Sequence, residues 1–571
     1  MPLPDLPSRA LTWPAIGRIV GAIALAFGAA TVSAQLAPDS GSTLRQLETP
    51  SVTLPAKPPP MPTVVAPPSA AAAAAPGVRF SLRGVRITGA TAISETELQA
   101  LLAPAIGREV DFAALEAMAA SLTRLYAQRG YPLATAYLPA QDIQDGVVQI
   151  VVLEGRFGKV ELRNRSLVKD SVVTRFLQDL PGRILSDALL ERALLLVYDL
   201  PGVAPAQAVL SPGSTVGETD LAIEIAASRA VTGSVELDNQ GGRFTGANRV
   251  SGRIEALSPA GLGDQFSVRL IKGDPGLTYT RIGYQLPLAG NGMVVGVDYS
   301  RADYRLGKDF SALGASGNAA TWSLQASYPL LRSRDFNLVG RVGIERKEFQ
   351  DRVAATALVN DKSSRVATLA LNGDFVDNVG GGAANAFSVT WTGGDMNIET
   401  PAARAIDAAS ARTDGSFGKL NLSVLRSQSL GGPWSAWLSF SGQKASANLD
   451  SSEKFTLGGA GGVRAYPQGE APGDSGYLLT GELRYRIDAD TVPGALELAG
   501  FVDVGSVKLN EEPFIVGANH RHLSGGGLGL NWRVPGDVTL RLSLARRLGS
   551  AAATAGKDSK TRGWLQLTKR F

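Results

Sequence analysis

Two residues of this chain, Arg464 and Asp503, have the types and the settings to form a strong ion pair. Arg464 stands in the middle of Gly458–Gly476, GGAGGVRAYPQGEAPGDSG, a stretch too long and too glycine-rich for a hairpin turn. Asp503 stands in FVDVG, one strand later. In GALELAGFVDVGSV, Leu496, Leu498, Val502 and Val504 alternate to one face, and Glu497 and Asp503 fall on the other. A carboxylate on a wet inner wall, with no cation nearby on its strand, is satisfied by an arginine from a loop folded inward. Guanidinium and carboxylate then share two parallel, charge-assisted hydrogen bonds. The same residues also admit an exposed loop tip and a solvated aspartate.

Catalytic chemistry finds little support. The two histidines, His520 and His522, share one expected external loop without a carboxylate partner, which is a poor metal site. The chain has no cysteine, so it offers neither a thiolate ligand nor a thiol nucleophile. No glycine loop of the strand–GxxxxGK–helix kind is present. No enzyme activity, cofactor or metal is expected. With 56 basic against 52 acidic residues the net charge is +4, which fits a mixed solvated surface better than nucleic-acid binding.

The elements that must position the pair are strands. From Val231 to the last residue the chain alternates apolar and polar positions. In VTLRLSLA, Val538, Leu540, Leu542 and Leu544 oppose Thr539, Arg541 and Ser543; in YLLTGELRYRI, Tyr477, Leu479, Leu483, Tyr485 and Ile487 oppose Thr480, Glu482, Arg484 and Arg486. The runs are about ten residues long, enough for a tilted strand to cross a bilayer, and their second face is charged, as a wet lumen allows. A soluble sandwich would bury the apolar face instead. Sixteen strands are expected, beginning near residues 231, 248, 264, 277, 292, 319, 335, 364, 385, 415, 432, 476, 494, 523, 537 and 562. Connections after even strands are short, such as SPAGLGD and RVPGD, and most of those after odd strands are long. Short periplasmic turns and long external loops produce this asymmetry. The glycine-rich stretch thereby becomes the sixth external loop, 447–475. The alternating last segment ends on an aromatic, Phe571, the form in which outer-membrane barrels meet their assembly machinery.

Ahead of the barrel the chain reads as a series. Arg9 and Arg18, the apolar Ile19–Ala30 and the small-residue site Val32-Ser33-Ala34 give an expected signal peptide, 1–34. Residues 35–77 are a tether rich in proline and alanine, with a short candidate helix at Asp39–Glu48. Residues 78–156 form a small α+β module in the order strand, helix, helix, strand, strand. Ser94-Glu95-Thr96-Glu97 starts one helix as a capping box, Gly130 ends the next, and TAYLPAQ and VVQIVVLEG make a hairpin around Gln144-Asp145-Gly146. Residues 157–228 repeat that order, and 229–571 are the barrel.

The motif Gly462-Val463-Arg464-Ala465-Tyr466 with Gly473-Asp474-Ser475-Gly476 resembles the sixth-loop signature of two-partner secretion transporters, the TpsB family of haemolysin and filamentous-haemagglutinin transporters, within the BamA-like superfamily. Phe501, Asp503 and Gly505 of FVDVG resemble that family's strand motif. The family has glycine where this chain has Ala465. GYPLATAYLPAQ with VVQIVVLEGRFGKVEL, and LSDALLERALLLVYDLPGV with AQAVLSPG, resemble two POTRA domains. The resemblance implies α+β periplasmic POTRA modules followed by a sixteen-stranded antiparallel transmembrane β-barrel in the outer membrane, with Arg464 paired to Asp503 in the lumen. It implies secretion of one large, unfolded, β-helical partner (TpsA-like), captured by the POTRA modules through its N-terminal secretion domain. It further implies that Ser42–Glu48 is a plug helix, and that the partners are this cargo, outer-membrane lipid and the barrel-assembly machinery, with no nucleic acid and a monomeric state. A barrel-assembly factor, a passive porin and a barrel-borne adhesin are the rival readings.

Overall fold

The computed structural model describes residues 37–48, 53–54, 63–64, 79–204, 206–487 and 492–571. The expected signal peptide, 1–34, and most of the expected tether lie outside the described residues. Helix α1, Ser40–Glu48, precedes two small α+β modules.

In the first module, α2, Glu95–Leu102, is capped by Ser94, whose side chain accepts from the Glu97 N–H. Helix α3, Phe112–Gln128, is capped by Asp111 and buries Leu115, Ala119, Leu122 and Tyr126 along one stripe. Gly130, at φ 82°, follows it in the left-handed conformation that ends helices. Strand Gly84–Thr88 lies parallel to Val147–Leu153, and Thr135–Tyr137 pairs antiparallel on the other side. The expected hairpin turns at Gln144-Asp145-Gly146, where Gln144 and Val147 bridge antiparallel and Asp145 and Gly146 take φ of 54° and 71°, but its ladder is broken between Tyr137 and that turn. Pro139 has no N–H to give a ladder, and the Gln141 side chain substitutes for one, donating to the Gln149 carbonyl at 2.7 Å and accepting from its N–H at 2.7 Å. The second module repeats the plan with Arg156–Asn164, α4 (Asp170–Leu177), α5 (Asp187–Tyr198), Ala206–Pro212 and Glu218–Ile225. The two-residue strand Thr63–Val64 lies parallel on the outer edge of Ala206–Pro212.

The second module is fastened to periplasmic turns of the barrel. Arg332 holds Asp199 through two bonds of 2.7 Å, Arg192 donates to the Pro329 carbonyl, and the Lys169 N–H donates to the Gly261 carbonyl.

Sixteen antiparallel strands close the barrel. They are β1 Val231–Asp238, β2 Gly246–Leu257, β3 Gln265–Pro275, β4 Leu277–Pro287, β5 Val294–Arg305, β6 Ala315–Arg332, β7 Phe336–Val353, β8 Leu358–Asp377, β9 Ala383–Ile398, β10 Gly415–Gly431, β11 Trp434–Ala445, β12 Ser475–Ile487, β13 Ala495–Lys508, β14 His520–Val534, β15 Val538–Arg547 and β16 Thr561–Arg570. Alternation puts Leu324, Ile344, Leu369 and Leu438 on the exposed outer face. Strands β6 to β9 run 16–20 residues rather than about ten. Their ladders run longer than a bilayer requires, and at these ends the inner face is buried against the lumen segments, as at Lys362, Phe349 and Met396. One external loop carries helix α6, Pro401–Ala408, entered through Pro401. The barrel closes where β1 meets β16, and Phe571 exchanges both backbone hydrogen bonds with Gly233 at 3.0 Å. Among the described residues no helix is long and apolar enough to cross a membrane.

Candidate functional site

The lumen is occupied by the loop between β11 and β12, which folds back inside the strands that carry it. A short ladder, Phe455–Thr456 with Pro472–Gly473, holds its two limbs together. At the tip the Val463 N–H donates to the Leu457 carbonyl at 2.7 Å, and the Tyr466 N–H to the Val463 carbonyl at 3.0 Å. Only glycine fits at 462, because a Cβ there would lie 2.0 Å from the Leu457 oxygen.

This tip presents Arg464 to the inner wall of β12 and β13. Its Nη2 and Nε donate to the two oxygens of Asp503 at 2.7 and 2.9 Å, and its own N–H donates to Asp503 at 3.0 Å. Nη1 donates to Glu482 at 2.7 Å. The guanidinium lies over the Phe501 ring, 3.4 Å from its centroid. Thr480 gives Asp503 a further bond at 3.1 Å, and Trp564 Nε1 holds the Arg464 carbonyl at 2.8 Å. Asp503 is fully buried. Every charge is thus matched, which a buried ion pair requires to offset its lost hydration.

Glu482 was absent from the expected site. It stands across from Phe501 in the β12–β13 register, and the polar face of YLLTGELRYRI already carried it. Ala465, in place of the family's glycine, does not take a left-handed backbone. It packs against β14, where a Cβ on Gly525 would come within 2.6 Å of the Ala465 methyl. Gly473, Asp474 and Gly476 lie where the loop rejoins the barrel rim. There Asp474 accepts from the Leu449 N–H at 3.1 Å, the Glu511 N–H at 2.8 Å and Lys454. Gly505 faces Leu457 of the loop. Tyr466 donates to the Ala551 carbonyl at 3.0 Å, and the buried Glu470 accepts from Thr554, Ala555 and Arg521. The loop is therefore tied to the last external connection as well as to the wall.

The histidines are not in a loop. They open β14, where alternation turns His520 and His522 outward and sends Arg521 inward to Glu470. Among the described residues no cluster of three or more histidine, aspartate or glutamate side chains could hold a metal.

Helix α1 also lies in the lumen. Ser40 donates to Asp351 through its N–H and hydroxyl, both at 2.8 Å, and Glu48 accepts from Tyr279 at 2.8 Å and Ser300 at 2.6 Å. Asp39 accepts from Ser451 of the loop at 2.6 Å and pairs with Lys362 of β8 at 3.3 Å. Lys362 pairs in turn with Asp450 of the loop at 2.7 Å. Burial pushes the Asp39 carboxyl up, but Lys362 and the hydroxyl and amide donors outweigh it and hold the carboxyl well below its ordinary range. Gly41 meets the loop so closely that a Cβ would lie 2.6 Å from Ser451 Oγ and 2.9 Å from the Ser452 nitrogen. Glu453, on the same limb, is gripped by Lys347 and Lys419 at 2.9 and 2.6 Å. The contacts of Asp39, Ser40 and Glu48 join residues 231 to 412 positions apart, and Lys362–Asp450 and Lys419–Glu453 link loop to wall across 88 and 34, so no local pattern marks any of them.

Residues 217–532 match the family described as haemolysin secretion/activation protein ShlB/FhaC/HecB, and residues 80–155 match the ShlB-type POTRA domain. The heme/hemopexin transporter protein HuxB of Haemophilus influenzae is 28% identical over 569 residues, covering 98% of this chain and 99% of its own. The outer membrane transporter CdiB of Dickeya dadantii is 24% identical, covering 86% and 85%. Among solved structures, CdiB from Escherichia coli superposes with a TM-score of 0.75 at 20% identity, over 95% of this chain and all of the other. CdiB from Acinetobacter baumannii superposes with a TM-score of 0.64 at 18% identity, over 86% and 90%.

Proposed function

The chain belongs to the haemolysin secretion/activation protein family, and from that membership we propose that its lumen site is the closed gate of a protein-secreting barrel. The protein is an outer-membrane transporter that passes a secreted partner protein from periplasm to cell surface, with its POTRA domains in the periplasm.

The observation that carries the gate reading is how the lumen is filled. Arg464, Asp503, Glu482, Asp39, Lys362 and Asp450 hold the two obstructing segments by ion pairs and hydrogen bonds to the wall. Charged groups of this kind are rehydrated when a segment leaves. The segments also bury apolar groups against the wall, Leu44 and Leu47 beside Tyr279 and Phe349, and Leu457, Val463 and Tyr466 beside Phe501 and Leu523, so each departure exposes apolar surface as well. The cargo travels as a large, extended, unfolded chain of β-helical type and folds outside, which supplies the drive that a membrane without nucleotide cannot. Residues 78–156 and 157–228 receive its N-terminal secretion domain by adding it as a strand to an open sheet edge. Residues 229–571 conduct it. One chain closes the barrel by itself, so a monomer suffices.

The test is to delete the gene in its native host and compare the proteins released to the medium and held in the outer membrane. Loss of one large secreted protein, restored by the intact gene and not by Arg464→Ala, is the expected result. Depletion of many outer-membrane barrels would replace this reading by that of an assembly factor.

A further inference from the structure

The connection between β13 and β14 is fastened at its base to the outward side of the barrel. Its base is gathered at Glu511. The Glu511 carboxylate accepts from Lys444 at 2.9 Å, from Lys508 at 2.7 Å and from the Ser475 hydroxyl. Those three donors end three adjacent strands, β11, β12 and β13, and alternation points all three outward. Lys444 follows the outward Leu438 at even spacing, Ser475 precedes Tyr477 and Leu479, and Lys508 follows Val502 and Val504. Glu511 therefore lies on the outer wall, about two residues, or roughly 7 Å of strand, above the apolar belt. Beside it the Glu512 N–H donates to Asn448 at 2.8 Å, and Asn448 donates back to the Glu512 carbonyl at 2.9 Å. The base is fixed.

Immediately beyond this base comes Pro513-Phe514-Ile515-Val516. Phe514, Ile515 and Val516 are exposed, at 39%, 68% and 103%. A lone exposed aliphatic needs no explanation, but three in succession do. They follow a proline that stiffens the turn, and they come three to five residues after Glu511, whose partners end the lipid-facing side of β11, β12 and β13. That wall is already an interface with lipid, and the tip continues it.

We infer that residues 510–519 form a membrane-resting arm, with Phe514, Ile515 and Val516 inserted into the outer leaflet and Glu511 as its anchor point. The partner is the bilayer itself. Only the barrel's place in a bilayer is needed, so a variant that loses transport leaves this arm untouched.

The cysteine-free chain gives the test directly, since Ile515→Cys creates a unique attachment site for a nitroxide. The full-length labelled protein is placed in vesicles of phosphatidylethanolamine and phosphatidylglycerol, and relaxation by oxygen is compared with relaxation by a water-soluble nickel chelate. A control label at Ala355, in the external turn after β7, reports water. The label at 515 is expected to favour oxygen over nickel several-fold more than the control, and Val516→Cys is expected to repeat it. Equal access to nickel at 515 and 355 would overturn the arm. So would a label shielded from both reagents, because it would then be packed against protein.

Discussion

Arg464 and Phe501 are stacked, with the guanidinium 3.4 Å from the ring centroid, so the cation is held between an aromatic face and two carboxylates. Charge alone does not reproduce this. A lysine offers a point charge where the site needs a planar fork. Arg464→Lys should insert normally and secrete poorly, and Arg464→Ala should do worse, since it leaves Asp503 buried without its cation, while Glu482 keeps Arg484 at 2.6 Å. Removing one partner of a buried pair costs about 3–5 kcal/mol, enough to unseat the loop tip. Cargo in the medium, set against heat-modifiable barrel in the membrane, checks this. Full secretion by Arg464→Lys would refute the requirement for the fork.

Ala465 and Gly525 divide the space for one methyl group between loop and wall. Gly525→Ala should loosen the loop, because the two methyl carbons would meet at 2.6 Å. The double variant Gly525→Ala, Ala465→Gly should restore it. Protease access to residues 458–476 in the four members of this cycle measures the coupling, and simple additivity would show that the two positions do not compete.

Gly41 seats the lumen helix against Ser451 and Ser452. Gly41→Val puts branched carbon where the Ser452 backbone nitrogen already lies and should expel α1. Conductance in planar bilayers should rise several-fold, toward that of a chain lacking residues 38–48. Unchanged conductance in both variants would mean that α1 does not obstruct the pore.

Glu154 carries the pH dependence of the first module. Its carboxylate accepts from the Ala92 and Thr91 N–H groups, the Thr91 hydroxyl and Tyr126. Burial raises its pKa, but these donors outweigh burial and hold it below the ordinary value of 4.5. A depressed carboxyl stabilises the fold fully above its unfolded pKa and loses that contribution as pH falls through the folded one. The melting of this module in the full-length protein should thus be flat from pH 8 to about 5 and fall below that. Glu154→Gln should melt lower at neutral pH, by about 1–3 kcal/mol, and lose most of the acid dependence. Scanning calorimetry at stepped pH follows both.

The barrel was legible because a strand between lipid and water must alternate. Val538 to Leu544 and Tyr477 to Ile487 state that alternation residue by residue. The inward direction of Asp503 followed from the same rule. Glu482 was visible as an inward residue, but its place beside Arg464 depends on the pairing of Thr480 with Asp503, which is set by neighbouring strands. Strand β8 begins at Leu358 rather than near 364, since LVNDKS lies beyond the length a bilayer requires and carries no apolar alternation to mark it. The grip of Ser40 on Asp351 joins residues 311 positions apart, beyond any local pattern. Thr63–Val64 is too short for periodicity to mark.

Lys362 gives the two obstructions an order of departure. It holds Asp450 of the loop at 2.7 Å and Asp39 of the helix at 3.3 Å. If the helix leaves first, the cation keeps its nearer partner, and Asp351, released by Ser40, keeps the Tyr304 hydroxyl at 2.7 Å. If the loop leaves first, Lys362 must rely on its more distant partner, while Ser451, which Asp39 also uses, goes with the loop. On the gate reading proposed above, opening takes two steps with a preferred sequence. A cargo that draws on α1 meets the lower barrier, and a force applied to the loop meets both at once.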